Sequence, residues 1–297
     1  MQVNKLMRIA LVVVLSLPLF AIAQYTETIN TNNPGRSQGA FSVGTNVVQF
    51  EGSAFYRSEE HDILRYERDF TGLAFQIRYG FLVEELELSY FGTFNSVDET
   101  INRGFGSVDN SFSNFSRSTI GAKYLVFDPI KKWGEREINI YSYKDNRRIK
   151  WRDLIPAVSV YVGANFDLSE RNSLLPPGDP SISPRFELIT QNNWGPWALV
   201  LNFIADRATT DFPSYGGIAT MTHSINRRWA AFGEFQTLIS DFYSDDIGRA
   251  GVAYLINQDW QVDASGAVNF KDTPSFYQVN VGMSYRLDFH KDPAPKQ

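Results

Sequence analysis

The chain has 297 residues with no cysteine, 23 Phe, 14 Tyr and 6 Trp, and 28 basic residues against 33 acidic ones for a net charge of −5. The absence of cysteine excludes disulfides, zinc ribbons and thiol catalysis. The nearly balanced charge, with no basic domain, argues against a nucleic-acid partner. A mean hydropathy of −0.25, with no apolar run of helix-spanning length beyond the N-terminus, does not fit a bundle of membrane-crossing helices.

Residues 1–23 read as a cleaved secretory signal peptide. Lys5 and Arg8 form a positive n-region, Ile9 to Phe20 an apolar h-region, and Ala21-Ile22-Ala23 a small-x-small cleavage site before Gln24. Cleavage after Ala23 leaves a net charge of −7. Residues 24–44 are polar, with Asn30, Asn32 and Asn33 followed by Pro34-Gly35, and read as a periplasmic arm or lumen plug.

From residue 45 onward the sequence alternates apolar and polar residues in long runs. The alternation predicts strands at 45–57, 70–80, 83–94, 115–127, 155–166, 184–193, 197–206, 215–225, 229–239, 248–256, 260–270 and 275–289. Leu73, Phe75, Ile77 and Tyr79 alternate with Ala74, Gln76 and Arg78. In the last run Tyr277, Val279, Val281, Met283, Tyr285 and Leu287 alternate with Gln278, Asn280, Gly282, Ser284 and Arg286. Successive strand residues point to opposite faces, so each run has one apolar and one polar face.

Such a pattern fits a β-sandwich or a membrane barrel, and three features favour the barrel. The runs are about the 9–11 residues that a tilted strand needs to cross a bilayer, longer than sandwich strands. The polar face carries charge in mid-strand, and aromatics such as Phe55, Tyr56, Tyr79, Tyr124, Trp229, Trp260 and Tyr285 cap the apolar faces like the girdles of outer-membrane barrels. The fold class expected is therefore all-β, a transmembrane antiparallel β-barrel of about 12 strands over 45–289, with a tail at 290–297. An even count puts both termini in the periplasm. The outer loops are then 58–69, 95–114, 167–183, 207–214, 240–247 and 271–274, and the inner turns are short except at 128–154. That long insertion carries Lys131, Lys132, Arg136, Lys144, Arg147, Arg148, Lys150 and Arg152. It reads as a solvated hairpin with a strand at Ile138 to Tyr141, or as a docking site for a periplasmic partner or anionic lipid.

The candidate lumen-lining residues are Glu51, Arg78, Glu85, Glu87, Lys123, Arg185, Glu187, Glu234, Asp263 and Arg286. Gln49, Gln76, Asn165, Asn202, Gln236, Gln261, Asn269, Gln278 and Asn280 join them on the same face. Acids slightly outnumber bases, which implies a slight cation preference. Such side chains could line a solute path or pair across a closed interior. Neither a cofactor nor a metal is expected: His61, beside Glu59, Glu60 and Asp62, lacks the spacing of a ligand motif. Nor is an enzyme expected. Adjacent His223 and Ser224 point to opposite faces of a strand and cannot form a hydrolase pair.

The stretch Asn33-Pro34-Gly35-Arg36-Ser37, with Val43-Gly44 and Val48-Gln49-Phe50-Glu51-Gly52 after it, resembles the opening of an outer-membrane transporter family named for the meta-pathway of phenol degradation, especially its Bacteroidetes branch. Lys150 to Val158 and Gly163 to Phe166 are similar to that family's middle strand entry. Here Asn33 stands where the family usually has Arg, and the valine-to-glutamine spacing is longer. The resemblance implies a Gram-negative outer-membrane barrel passing small solutes, aromatic or hydrophobic ones among them, and carries over no catalytic or binding residues. The partners expected are outer-membrane lipid, the barrel-assembly machinery reading the aromatic ending Tyr285 to Phe289, and a small-molecule solute. Two other readings stay open: a closed barrel whose loops, chiefly 101–116, bind a partner or polysaccharide, and a barrel lipid hydrolase.

Overall fold

The computed structural model describes residues 29–102, 104, 106–134, 141, 150–168, 180–241 and 243–289. The expected signal peptide at 1–23 and tail at 290–297 lie outside them. So does most of the 128–154 insertion, including the strand expected at 138–141 apart from Tyr141.

Twelve antiparallel strands follow one another around a closed barrel. They are β1 (Val47–His61), β2 (Tyr66–Gly80), β3 (Leu86–Asn102), β4 (Ser107–Phe127), β5 (Ala157–Phe166), β6 (Ile182–Trp194), β7 (Trp197–Asp206), β8 (Ser214–Ser224), β9 (Trp229–Ser240), β10 (Asp245–Leu255), β11 (Trp260–Asn269) and β12 (Ser275–Asp288). The seam is a continuous ladder in which Val47 opposes Asp288 and Glu60 opposes Ser275. Every strand expected from the alternation is present, including the Gly-rich β8 and the Pro184-containing β6.

Burial is inverted relative to a water-soluble protein. Arg78 and Glu87 are fully buried, whereas Leu73 is 57% and Val281 67% exposed on the outer wall. Hydrocarbon offsets that apolar exposure, and the closed hydrogen-bonded ladder leaves no unpaired edge inside it. Aromatic pairs mark both borders of the band. Near the termini Trp260 packs on Tyr285 at 4.5 Å and Trp229 on Tyr254 at 4.8 Å, while Phe94 meets Phe115 at 5.4 Å and Tyr56 meets Tyr277 at 6.2 Å at the other border. Tyr277 and Tyr285 lie on one strand, roughly 26 Å apart along it. This is an outer-membrane β-barrel fold.

The strand ends depart from expectation. The outer loops expected at 58–69 and 95–114 shrink to 62–65 and 103–106, because β1–β2 and β3–β4 continue as paired ribbons beyond the apolar band. Polar cross-strand contacts hold the ribbons: Tyr56 Oη donates to Asp69 at 2.8 Å, Ser111 Oγ to Asp98 at 2.6 Å and Thr100 Oγ1 to Asp109 at 3.0 Å. Above the membrane the outer face meets water and carries Asp69 and Asp98 in place of apolar residues, so the ladder continues without the alternation that reveals it. The loop 101–116 of the binding reading is thus largely β3–β4 ribbon.

At the end of the barrel where β1 starts and β12 finishes, a short helix, α1 (Pro129–Trp133), starts where Asp128 Oδ1 accepts from Ile130 N at 2.8 Å. Lys131 ties it to Glu84 at 3.0 Å and to Glu85. Arg152 Nη2 donates to Trp133 O at 2.7 Å and Trp194 Nε1 to Asp153 O at 2.6 Å, so both roots of the insertion are fastened to the barrel rim.

Candidate functional site: the lumen and the segment crossing it

Residues 29–44 run through the lumen, and the inward face of the wall holds them. Ile29 N donates to Gln258 O at the β10–β11 turn. Asn30 O then accepts from Gln49 Nε2 at 2.9 Å and Arg78 Nη1 at 2.8 Å. The segment crosses to β9, follows the wall through β7, β6, β5, β4 and β3, and rejoins β2 where Asn46 N donates to Gly80 O at 3.0 Å.

Two glutamates act as pins. Glu51 accepts Asn32 N at 3.0 Å and Asn33 N at 3.2 Å, together with Gln49 Nε2 at 2.7 Å and Arg78 Nη1 at 2.9 Å. Glu234 accepts Arg36 N at 2.9 Å, Ser37 N at 3.3 Å, Thr220 Oγ1 at 2.8 Å and Arg249 Nη1. Gly35 lets the chain come this close, since a Cβ there would stand 2.7 Å from Glu234 Oε2. The Pro34 to Ser37 motif is therefore a carboxylate clasp, and the Gln49-Phe50-Glu51-Gly52 motif supplies the second pin.

Further round, Asn202 brackets Gln38 by accepting its N–H at 2.6 Å and donating to its carbonyl at 2.9 Å. Gln38 Nε2 donates to Glu187 at 3.0 Å, and Gln191 Oε1 accepts Ala40 N at 2.9 Å. Lys123 Nζ donates to Gly39 O at 2.8 Å and Phe41 O at 3.0 Å, while Ser159 Oγ donates to Ala40 O at 2.6 Å. Val43 N donates to Glu87 at 3.0 Å, Thr31 Oγ1 bonds Ser284 Oγ at 2.9 Å, and Gln261 donates to Asn33 O at 3.2 Å. Every strand except β8 and β10 thus bonds the segment directly among the described residues. Ala40 and Phe41 also pack into an apolar seat of Leu125, Ala157, Tyr161, Ile189 and Val200.

The expected lumen residues fall into groups. Arg78 joins Glu51 and Glu87, and Lys123 adds to Glu87 at 3.2 Å, giving a four-membered buried ion network beneath the segment. Arg185 bonds Glu187 and Asp206 at 2.5 and 2.8 Å, and Arg286 bonds Asp288 at 3.1 Å. Asp263 faces the interior with Oδ2 unpartnered. Glu85 is the exception. It lies before β3, in the β2–β3 turn, and its side chain turns to Lys131 outside the lumen. Burial alone would push its carboxyl up, but hydrogen bonds from Lys131 and from its own backbone N–H hold it below the usual carboxylate range.

Above the segment lies a cavity of about 490 Å³, floored by Asn32 to Arg36 and Gln38. Phe55, Phe70, Phe91 and Tyr161 reach its wall. Phe55, expected in the outer girdle, faces inward against Gly72, and Tyr161 lies over Gly121 and Gly163. Side chains at those glycines would occupy the space of the rings, so the aromatics lie flat and leave the cavity open. Arg36, Arg117 and Arg249 also line it, and the lumen list drawn from sequence lacks them. Arg117 shares its odd-numbered parity with Lys123 on β4, a signal that would have placed it inside.

Other expected chemistry does not converge. Glu59 faces inward and bonds Arg57 and Tyr66, whereas neighbouring Glu60 is exposed. Among the described residues no group of His, Cys, Asp or Glu is placed to hold a metal ion. His223 stacks against Trp197 at 4.1 Å, and its Nδ1 has no hydrogen-bond partner.

The sequence profile of the family described as "Putative MetA-pathway of phenol degradation" matches residues 31–287, from the luminal segment to the closing strand. The chain belongs to that family. Among solved structures, the COG4313 outer membrane channel from Pseudomonas putida F1 is similar with a TM-score of 0.58 at 9% identity, covering 87% of this chain and 100% of that one. The transport unit of the autotransporter AIDA-I from Escherichia coli gives 0.47 at 8% identity (86% and 92% covered), and the CymD monoaromatic hydrocarbon channel 0.41 at 10% (84% and 90%). At such identities the likeness to the COG4313 channel speaks for a shared barrel fold. No curated protein sequence matches the chain. The family match spans the Pro34–Ser37 clasp and both glutamate pins.

Proposed function

We propose that the protein is an outer-membrane channel for small solutes, aromatic or hydrophobic ones among them, and that residues 29–44 plug its periplasmic half. Family membership supports the channel reading. Aromatic rings on the cavity wall support the solute class, and the inverted wall supports residence in the outer membrane. The observation that carries the proposal is the cavity of about 490 Å³ lying directly on a segment that the wall holds by hydrogen bonds and one apolar seat, with no disulfide. A solute entering from outside meets a floor made of hydrogen bonds, and passage follows from their release.

On this reading outer-membrane lipid covers the apolar band, and the barrel-assembly machinery reads the closing strand. The signal peptide ends at Ala23. The basic 128–154 segment, rooted to the rim at both ends, faces the periplasm and is available to a partner there.

The test is single-channel conductance in planar bilayers, comparing the full mature chain with a chain lacking residues 24–44. The full chain should show small or rare openings and the shortened one large, persistent steps. Equal conductance from both folded proteins would remove the plug, and silence from both would remove the channel.

A further inference from the structure

Acids outnumber bases on the inner wall, yet most are already committed. Glu51, Glu87 and Glu234 hold the luminal segment and the cations beside it, and Glu187 and Asp206 are tied to Arg185. The charge left facing the cavity is mainly positive. Arg117 uses Nε on Thr119 Oγ1 at 3.2 Å and lays its guanidinium over Phe91 at 4.5 Å, and no carboxylate bonds it among the described residues. Arg36 holds Glu234 through its backbone only. Its side chain has no ion-pair partner among the described residues, and it lines the same cavity as Arg249 and Arg117. Among the described residues Asp263 is the one carboxylate with a buried, unpartnered oxygen, and β3, β2, β1 and β12 separate its strand from β4.

Arg36 and Arg117 share one cavity, and two guanidiniums in a partly desolvated space repel one another until an anion lies between them. Each offers the planar fork that fits a carboxylate. The approach to them is aromatic and its charges are paired: nearer the mouth Arg57 stacks on Phe70 and Phe276, and Arg68 on Tyr66, each arginine held by a glutamate. A passing anion would therefore meet open cationic donors only at the bottom.

We propose that Arg36 and Arg117 form a binding site for a small aromatic carboxylate, with the carboxylate between the two guanidiniums and the ring along Phe91 and Phe55. The site rests on the channel reading for its purpose and narrows the solute to an organic anion. It also reverses the slight cation preference implied by counting acids.

The probe is benzoate, titrated by calorimetry into the full mature chain folded in detergent micelles, with neutral benzamide as its isostere. Benzoate should bind at least tenfold more tightly than benzamide. Arg117→Gln and Arg36→Gln should each weaken benzoate about tenfold, the worth of one charge-assisted pair, and leave benzamide unchanged. Arg117→Lys, which keeps the charge and loses the fork, should fall between. Heat-modifiable gel mobility identifies the folded variants. Equal binding of benzoate and benzamide, benzoate binding untouched by either folded Gln variant, or no benzoate binding would each overturn the site. Swelling of liposomes carrying the 24–44 deletion in a neutral sugar tests the channel separately. Flux without benzoate binding overturns the anion site alone, whereas Arg-dependent benzoate binding without flux keeps the site and overturns the channel.

Discussion

Glu234 ties three parts of the lumen together, because the segment, β8 and β10 all meet on its two oxygens. Glu234→Gln keeps the shape and removes the charge that Arg36 N, Ser37 N and Arg249 share. The expected result is more frequent opening in single-channel records. Gly35→Val should open the channel in the same way while leaving every wall residue intact, since its side chain would strike the Glu234 carboxylate. A silent Gly35→Val channel would show that the clasp does not set closure. Lys123 is a different case. It is buried between Glu87 and two segment carbonyls, so Lys123→Met leaves Glu87 to Arg78 and Val43 N, strips both carbonyls of their donor and should cost about 2 kcal/mol. The midpoint of urea unfolding, followed by gel mobility, reads that loss.

Among the elements, the wall and α1 obey different solvents. On β12, Val281→Arg places a charge in the middle of the apolar band and should destabilise the barrel by about 2–4 kcal/mol. Ser53→Arg, on the inward face of β1 and beside the cavity, should cost far less. Equal losses in unfolding would contradict the assigned faces. The Glu85–Lys131 contact of α1 responds to pH instead. The Glu85 carboxyl is lowered in the folded chain, so its contribution is fully present above the unfolded carboxylate value of about 4.3 and is lost as pH falls through the folded one. Amide exchange in 129–133 should quicken below about pH 4 and lose that dependence in Lys131→Met. The strands were legible because each wall residue meets either hydrocarbon or the lumen, which writes a period of two into runs such as Tyr277 to Leu287. The β1–β2 and β3–β4 ribbons were not, since beyond the membrane the outer face meets water instead of hydrocarbon and turns polar. Glu85 misled for a related reason: it continues the alternation of β3 one step past the point where the ladder ends.

At the scale of the whole molecule, the inward orientation of Arg78, Lys123 or Glu234 could be read from charge in mid-strand, but what they hold could not. Arg36 and Glu234, or Gly39 and Lys123, meet only because the barrel closes, and no local pattern encodes such distant partners. The motif around Pro34 to Ser37 was visible as a resemblance, and its purpose emerged only with Glu234 beneath it. The luminal segment also constrains how the molecule is made. It precedes β1, is bonded to strands from most of the circumference, and passes Ser284 on β12 at the very seam where β1 and β12 join. Threading such a chain into a finished cylinder would mean desolvating its polar groups one by one in a narrow tube. Laid against the open sheet before the seam zips, the same groups find their partners as the wall curls around them. The segment is then a mandrel on which the barrel is wound, and the final ladder between β1 and β12 seals it inside.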